Sequence, residues 1–147
     1  MIQRKQTIWL LLATIVITLA FILPYGINKV DTPTPLETML TAKSNVFLMV
    51  LTILTAIACF FSVFLYKNRK QQMKCTFIPI LLSICMIGYE IYNTYLTQIG
   101  NKMVIGLYGS QLIVGIFVPI VTTILIAMAY NGIKSDEKLI RDTDRLR

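Results

Sequence analysis

The stretch ICMIGYEIYN, residues 84–93, sets the carboxylate of Glu90 inside one of the most apolar parts of the chain. An ionised acid in such a setting is costly unless it is paired, hydrated or neutralised, so by default it points to a proton or cation site. Counting roughly 20 residues from Cys75 puts the outer edge of this run near Thr94, with Glu90 about 6 Å beneath it at a rise of about 1.5 Å per residue. The same count back from Tyr130 places Gln111 at the outer edge of the fourth apolar run. Glu90 and Gln111 are therefore expected to meet, with Asn93, Tyr89 and Lys102 as further partners. Two chemistries fit the set. One is a polar tie joining two helix ends, which suits a lone acid followed by the increasingly polar YNTYLTQIGN. The other is a small transporter or channel component using Glu90, Gln111 and a kink at Pro119, and it needs more than one protomer.

Other chemistry is poorly supplied. The chain has no histidine, which argues against a zinc, haem or Ser-His-Asp site. Its cysteines, Cys59, Cys75 and Cys85, form no CxxC pair, and none is placed for a disulfide in an oxidising outer compartment. Acid–base catalysis needs at least two converging groups, and one carboxylate is evident within the apolar runs. No enzyme, no metal and no cofactor is expected.

The elements that must position these residues follow from composition. The 147 residues are 56% hydrophobic and 14% charged, with a mean hydropathy of +0.70. That is the composition of a membrane protein, and the length suits a single domain over residues 1–147. Four runs approach the roughly 20 helical residues needed to cross a hydrocarbon core: residues 7–27, 44–66, 75–97 and about 104–130. Buried helices of a soluble bundle would show a polar stripe, and the first, second and fourth runs are apolar all round. The expected fold is all-α, an integral membrane four-helix bundle. The first run is too long for a signal core and lacks an Ala-x-Ala-like site after it, so it reads as an uncleaved signal anchor.

Charge sets the expected orientation. Arg4 and Lys5 precede the first run, Lys67, Arg69, Lys70 and Lys74 join the second to the third, and Lys134, Lys138, Arg141, Arg145 and Arg147 follow the fourth. These are eleven of the 14 cations, and the positive-inside rule places them, with both termini, in the cytoplasm. The net charge of +7 then reflects topology and attraction to anionic membrane lipids rather than nucleic-acid binding, since no basic face interleaves with aromatics. Trp9, Tyr66 and Tyr130 mark the cytoplasmic edge, and Tyr25, Phe47, Tyr92, Tyr95 and Tyr108 the outer one.

Local signals refine the layout. TPLE, with Thr34 as cap, Pro35 at the first position and Glu37 returning, predicts a short interfacial helix or an early start to the second span. Gly106 with Ser110, Ala58 with Ser62, and Thr52 with Ala56 are small-xxx-small pairs for helix packing. Pro119 inside the fourth span predicts a helix kink, for shape or for a gate. In the tail, Ser135 can cap a helix over about 135–146, supported by Glu137 with Arg141 and Lys138 with Asp142. This helix could lie along the membrane, dock on the KNRK loop or fray into solvent.

The opening MIQRKQTIWLLLA, the basic link YKNRKQQ and the closing DEKLIRDTDRLR resemble the small four-span membrane proteins of Bacteroidota in domain-of-unknown-function family 4293. The resemblance covers the full length and implies a multi-pass protein of the bacterial inner membrane; it brings no established activity and no catalytic residue. Its matching residues, among them Gln3, Arg4, Lys67, Asn68, Arg69, Leu139 and Leu146, fall on the expected cytoplasmic side. The function expected first is thus a noncatalytic scaffold or accessory subunit. Its docking face would comprise Arg4, Lys67, Arg69, Lys70, Asp136, Glu137, Arg141, Asp144 and Arg145, and its partners would be membrane lipids and a membrane protein or a second copy of the chain.

Overall fold

The computed structural model describes residues 5–30, 36–65, 69–93, 101–102, 106–108 and 111–144, and the statements that follow concern these. Four helices carry the fold: α1 (Lys5–Thr18), α2 (Val46–Phe64), α3 (Arg69–Ile91) and α4 (Phe117–Asp144). α1 packs against α2 and α4, and α3 packs against the same two, so the four close into a ring. Three stretches, Val46–Phe64, Gln71–Ile91 and Phe117–Leu139, are long and apolar enough to cross a membrane. α1 with the 3-10 turn Leu19–Phe21 makes a shorter apolar helix, Gln6–Phe21. Its 14 α-helical and 3 3-10 residues extend about 27 Å, close to the ~30 Å of a hydrocarbon core.

Buried positions recur at alternating spacings of four and three. On α1 they are Gln6, Leu10, Ala13 and Ile17; on α2, Leu48, Thr52, Thr55, Cys59 and Ser62; on α3, Gln72, Thr76, Pro79, Ser83, Met86 and Glu90; on α4, Thr122, Ile126, Ala129 and Ile133. A mean period of 3.5 keeps one seam of each helix facing its neighbours, the packing of left-handed coiled coils. The polarity is inverted relative to a soluble bundle. Ile15, Ile57, Phe61, Ile78 and Ile124 are exposed, whereas the hydroxyls lie inside. Thr52, Thr55, Ser62, Thr76 and Thr122 each donate to the carbonyl four residues back, at 2.7–2.8 Å. Each hydroxyl is thereby satisfied within its own helix, and its small side chain lets the neighbouring backbone approach.

Short strands lie at one end of the ring, where the apolar runs predict only helix. β1 (Gly26–Val30), β2 (Leu36–Leu40) and β3 (Asn101–Lys102) form an antiparallel sheet in the order β2-β1-β3, and β4 (Gly106–Tyr108) pairs with β5 (Gln111–Ile113). The helix expected from TPLE is replaced by β2: Leu36 lies opposite Val30 and Leu40 opposite Gly26. Cross-strand pairing outweighs the local capping signal, whose Thr34 and Pro35 lie outside the described residues. Gly106 stands on a strand, so its pairing with Ser110 across a helix face does not occur; Ser110 itself lies outside the described residues.

The helix boundaries also shift. α2 lies within two residues of its expected ends. The first helical run stops at Phe21, because Pro24 lacks an N–H and drives Leu23 away from helical geometry. α3 begins at Arg69 rather than 75 and ends at Ile91, while α4 begins at Phe117 rather than about 104. That late start moves Pro119 to the third position of α4, where its missing N–H costs nothing, so the expected mid-span kink has no basis. Pro79, inside α3, is the proline that withdraws an N–H from a helix interior; its acceptor would have been the carbonyl of Cys75. The separate tail helix is likewise absorbed, for α4 runs unbroken to Asp144 and Ser135 sits within it.

Candidate functional site

Two polar regions occupy opposite ends of the ring. At the sheet end, the last turn of α3 brings Glu90 to 1% exposure, one turn above the fully buried Met86. Tyr25, buried where the chain leaves α1, hydrogen-bonds the side chain of Ser44 and stands within electrostatic reach of Glu90 and Tyr89. The ring of Tyr89 packs on Phe47 at 4.7 Å between centroids. The connections are fastened by backbone: Tyr25 N–H donates to Leu40 O at 2.8 Å, and Gly115 N–H to Pro24 O at 2.8 Å. A Cβ on Gly115 would lie 2.6 Å from Leu23 O, so glycine is required by this approach.

Of the residues expected to gather around Glu90, Tyr89 and Asn93 lie beside it on and just past α3, both half-buried. Gln111 does not stand at the edge of a fourth span; it lies on β5, in register with Tyr108. Lys102 lies on β3 opposite Ile27. The side chains of Gln111 and Lys102 fall outside the described residues. The described geometry here sets a carboxyl at the end of α3 near a phenol that follows α1 and a hydroxyl that precedes α2.

At the other end the buried polar groups are amides. Gln6 Nε2 donates to Asp136 Oδ2 at 2.6 Å, joining α1 to α4, and Gln72 Nε2 donates to Ser62 O at 3.1 Å, joining α3 to α2. Gln6 lies against Gly132, where a Cβ would come within 2.7 Å of its Cγ. Midway, Thr123 Oγ1 donates to Ser83 Oγ at 2.8 Å across α3 and α4. Neither glutamine was singled out from sequence, although both fall on the 3.5-residue seam of their helices. That period was the available signal.

Beside this end, α3 and α4 leave two adjoining hollows of about 560 and 530 Å³ that share Met73, Tyr130 and Glu137. Of the expected docking face, Asp136 and Glu137 are half-buried here; the neighbouring Lys138 is exposed. Arg69, Lys70, Arg141 and Asp144 lie on helices with side chains outside the described residues; Arg4, Lys67 and Arg145 lie outside them altogether. A family model described as Domain of unknown function (DUF4293) matches residues 2–146. No curated protein and no solved structure matches the chain.

Proposed function

The chain belongs to the DUF4293 family, and on that premise we propose that it is a noncatalytic scaffold or accessory subunit of a bacterial inner membrane, built on four spans with both termini in the cytoplasm. The observation that carries this reading is how the interior polarity is used. The buried hydroxyls return to carbonyls of their own helices, and Gln6 and Gln72 bind neighbouring helices together. Polar groups engaged in this way hold the ring closed and offer little to a translocated ion. The concave, charged surface lies instead at the end where the lysines and arginines collect. In this reading Glu90 is a polar tie at the sheet end of α3, and the basic end contacts a different membrane protein.

Photocrosslinking in intact membranes tests the reading. A photoreactive residue at Lys138 or Asp142, both exposed at the basic end, should give a discrete adduct with another protein, whereas one at the exposed apolar Ile84 should give lipid adducts. Adducts between copies of this chain alone at Lys138 and Asp142 would sink the accessory-subunit reading. In a background without Cys59, Cys75 and Cys85, Lys138→Cys should resist a membrane-impermeant thiol reagent added to spheroplasts. Labelling there would reverse the orientation.

A further inference from the structure

The groove between α3 and α4 joins two unlike walls. Met73, Phe77 and the ring of Tyr130 make one side apolar, while Lys74, Lys134 and Lys138 border it with three ammonium groups. Among its described lining residues the single acid is Glu137. From Phe77 the apolar wall runs on through Leu81 and Ile84, at the i, i+4 and i+7 positions of α3, each half or more exposed. The groove therefore passes from cationic to hydrocarbon-like along one helix face. A soluble anion would use only the cationic part, and a zwitterionic lipid would bring its own cation against the lysines. An anionic amphiphile matches both parts, as basic pockets between membrane helices match anionic headgroups.

We propose that this groove seats the phosphate headgroup of an anionic glycerophospholipid, with Lys74, Lys134 and Lys138 around the phosphate and an acyl chain along Met73 and Phe77. This rests on the reading that the basic end lies at a membrane surface, and the experiment separates the two. The one tryptophan, Trp9, is changed to Phe, and Phe77→Trp places an indole in the groove of the full-length chain. The protein is reconstituted in phosphatidylcholine vesicles carrying a minor fraction of dibrominated phosphatidylglycerol or dibrominated phosphatidylcholine, whose bromines quench on contact. The anionic lipid should associate with the indole roughly fivefold more strongly, the attraction of about one well-placed lysine. Adding Lys74→Gln, Lys134→Gln and Lys138→Gln should reduce the ratio to about one.

Equal quenching by the two lipids would overturn the headgroup site and leave the membrane placement standing. So would a preference that survives the three lysine changes, or one abolished by millimolar inorganic phosphate. Absence of quenching by either lipid, at Phe77→Trp and at Ile84→Trp alike, would overturn the membrane placement and the site with it. The unaltered chain gives a second reading: released from detergent after exposure to equimolar phosphatidylglycerol and phosphatidylcholine, it should retain the anionic lipid in native mass spectrometry. Equal retention of both would also overturn the proposal.

Discussion

The two ends of the helix ring confine polar groups by opposite means. At the sheet end a carboxyl is enclosed: Glu90 is 1% exposed, and backbone presses on backbone at Gly115. At the basic end the carboxyl of Asp136 accepts from an amide next to Glu137, which lines an open groove, while the atoms nearest a Cβ on Gly132 belong to the flexible side chain of Gln6. Rigid atoms meet at one end and adaptable ones at the other. A surface that must accommodate a partner belongs where the neighbours can move, and a polar tie belongs where they cannot.

The same substitution at the two ends gives the sharpest test of this contrast. Gly115→Ala forces a methyl to within 2.6 Å of the Leu23 carbonyl oxygen, and neither segment can yield without breaking the Gly115 to Pro24 hydrogen bond. It should lower stability by about 3 kcal/mol, the upper part of the range for overpacking, as read by SDS titration in mixed micelles. A loss under about 1 kcal/mol would show that the sheet end is as compliant as the other. Glu90→Gln keeps shape and hydrogen-bonding capacity, so as a tie it should cost less than about 1 kcal/mol and leave growth unchanged. A growth defect with stability intact would restore the ion-coupled alternative. Smallest is Gly132→Ala: the gain in helix propensity, about 1 kcal/mol, offsets the loss as Gln6 swings away from Asp136. Its net effect should lie within about 0.5 kcal/mol of zero, and a large loss would erase the contrast.

Hydropathy located the helices well where an apolar run coincides with a single element. α2 lies almost where expected because Asn45 caps it, accepting from Phe47 N–H, and the polar turn at residues 41–45 separates it from β2. The fourth run misled because hydropathy does not distinguish a strand from a helix: Gly106–Tyr108 and Gln111–Ile113 are largely apolar and extended, so the apparent span began about a dozen residues early, which put Pro119 mid-helix and Gln111 on a helix end rather than a strand. The capping signals of TPLE and Ser135 are real local preferences overridden by tertiary contacts. β1 pairs with the first, and Asp136, held by Gln6 beside the buried Ile133, keeps the helix going past the second. Glu90 was legible from composition alone, since a carboxylate in an apolar run stands out. Gln6 and Gln72 were not, because both lie near basic, polar sequence where a glutamine is unremarkable, and only the helix seam marks them as interior.

The order of strands in the sheet has a consequence for biogenesis. β1 and β2 both lie between α1 and α2, but the strand that completes their sheet, β3, follows α3. As the chain emerges from the ribosome, the first hairpin is available once α1 is made, whereas its third strand arrives only after α2 and α3. Gly115, which docks on Pro24, arrives later still. Glu90 is thus made before the strands at its own end of the ring are all present, and the sheet there is completed late, in the order set by synthesis.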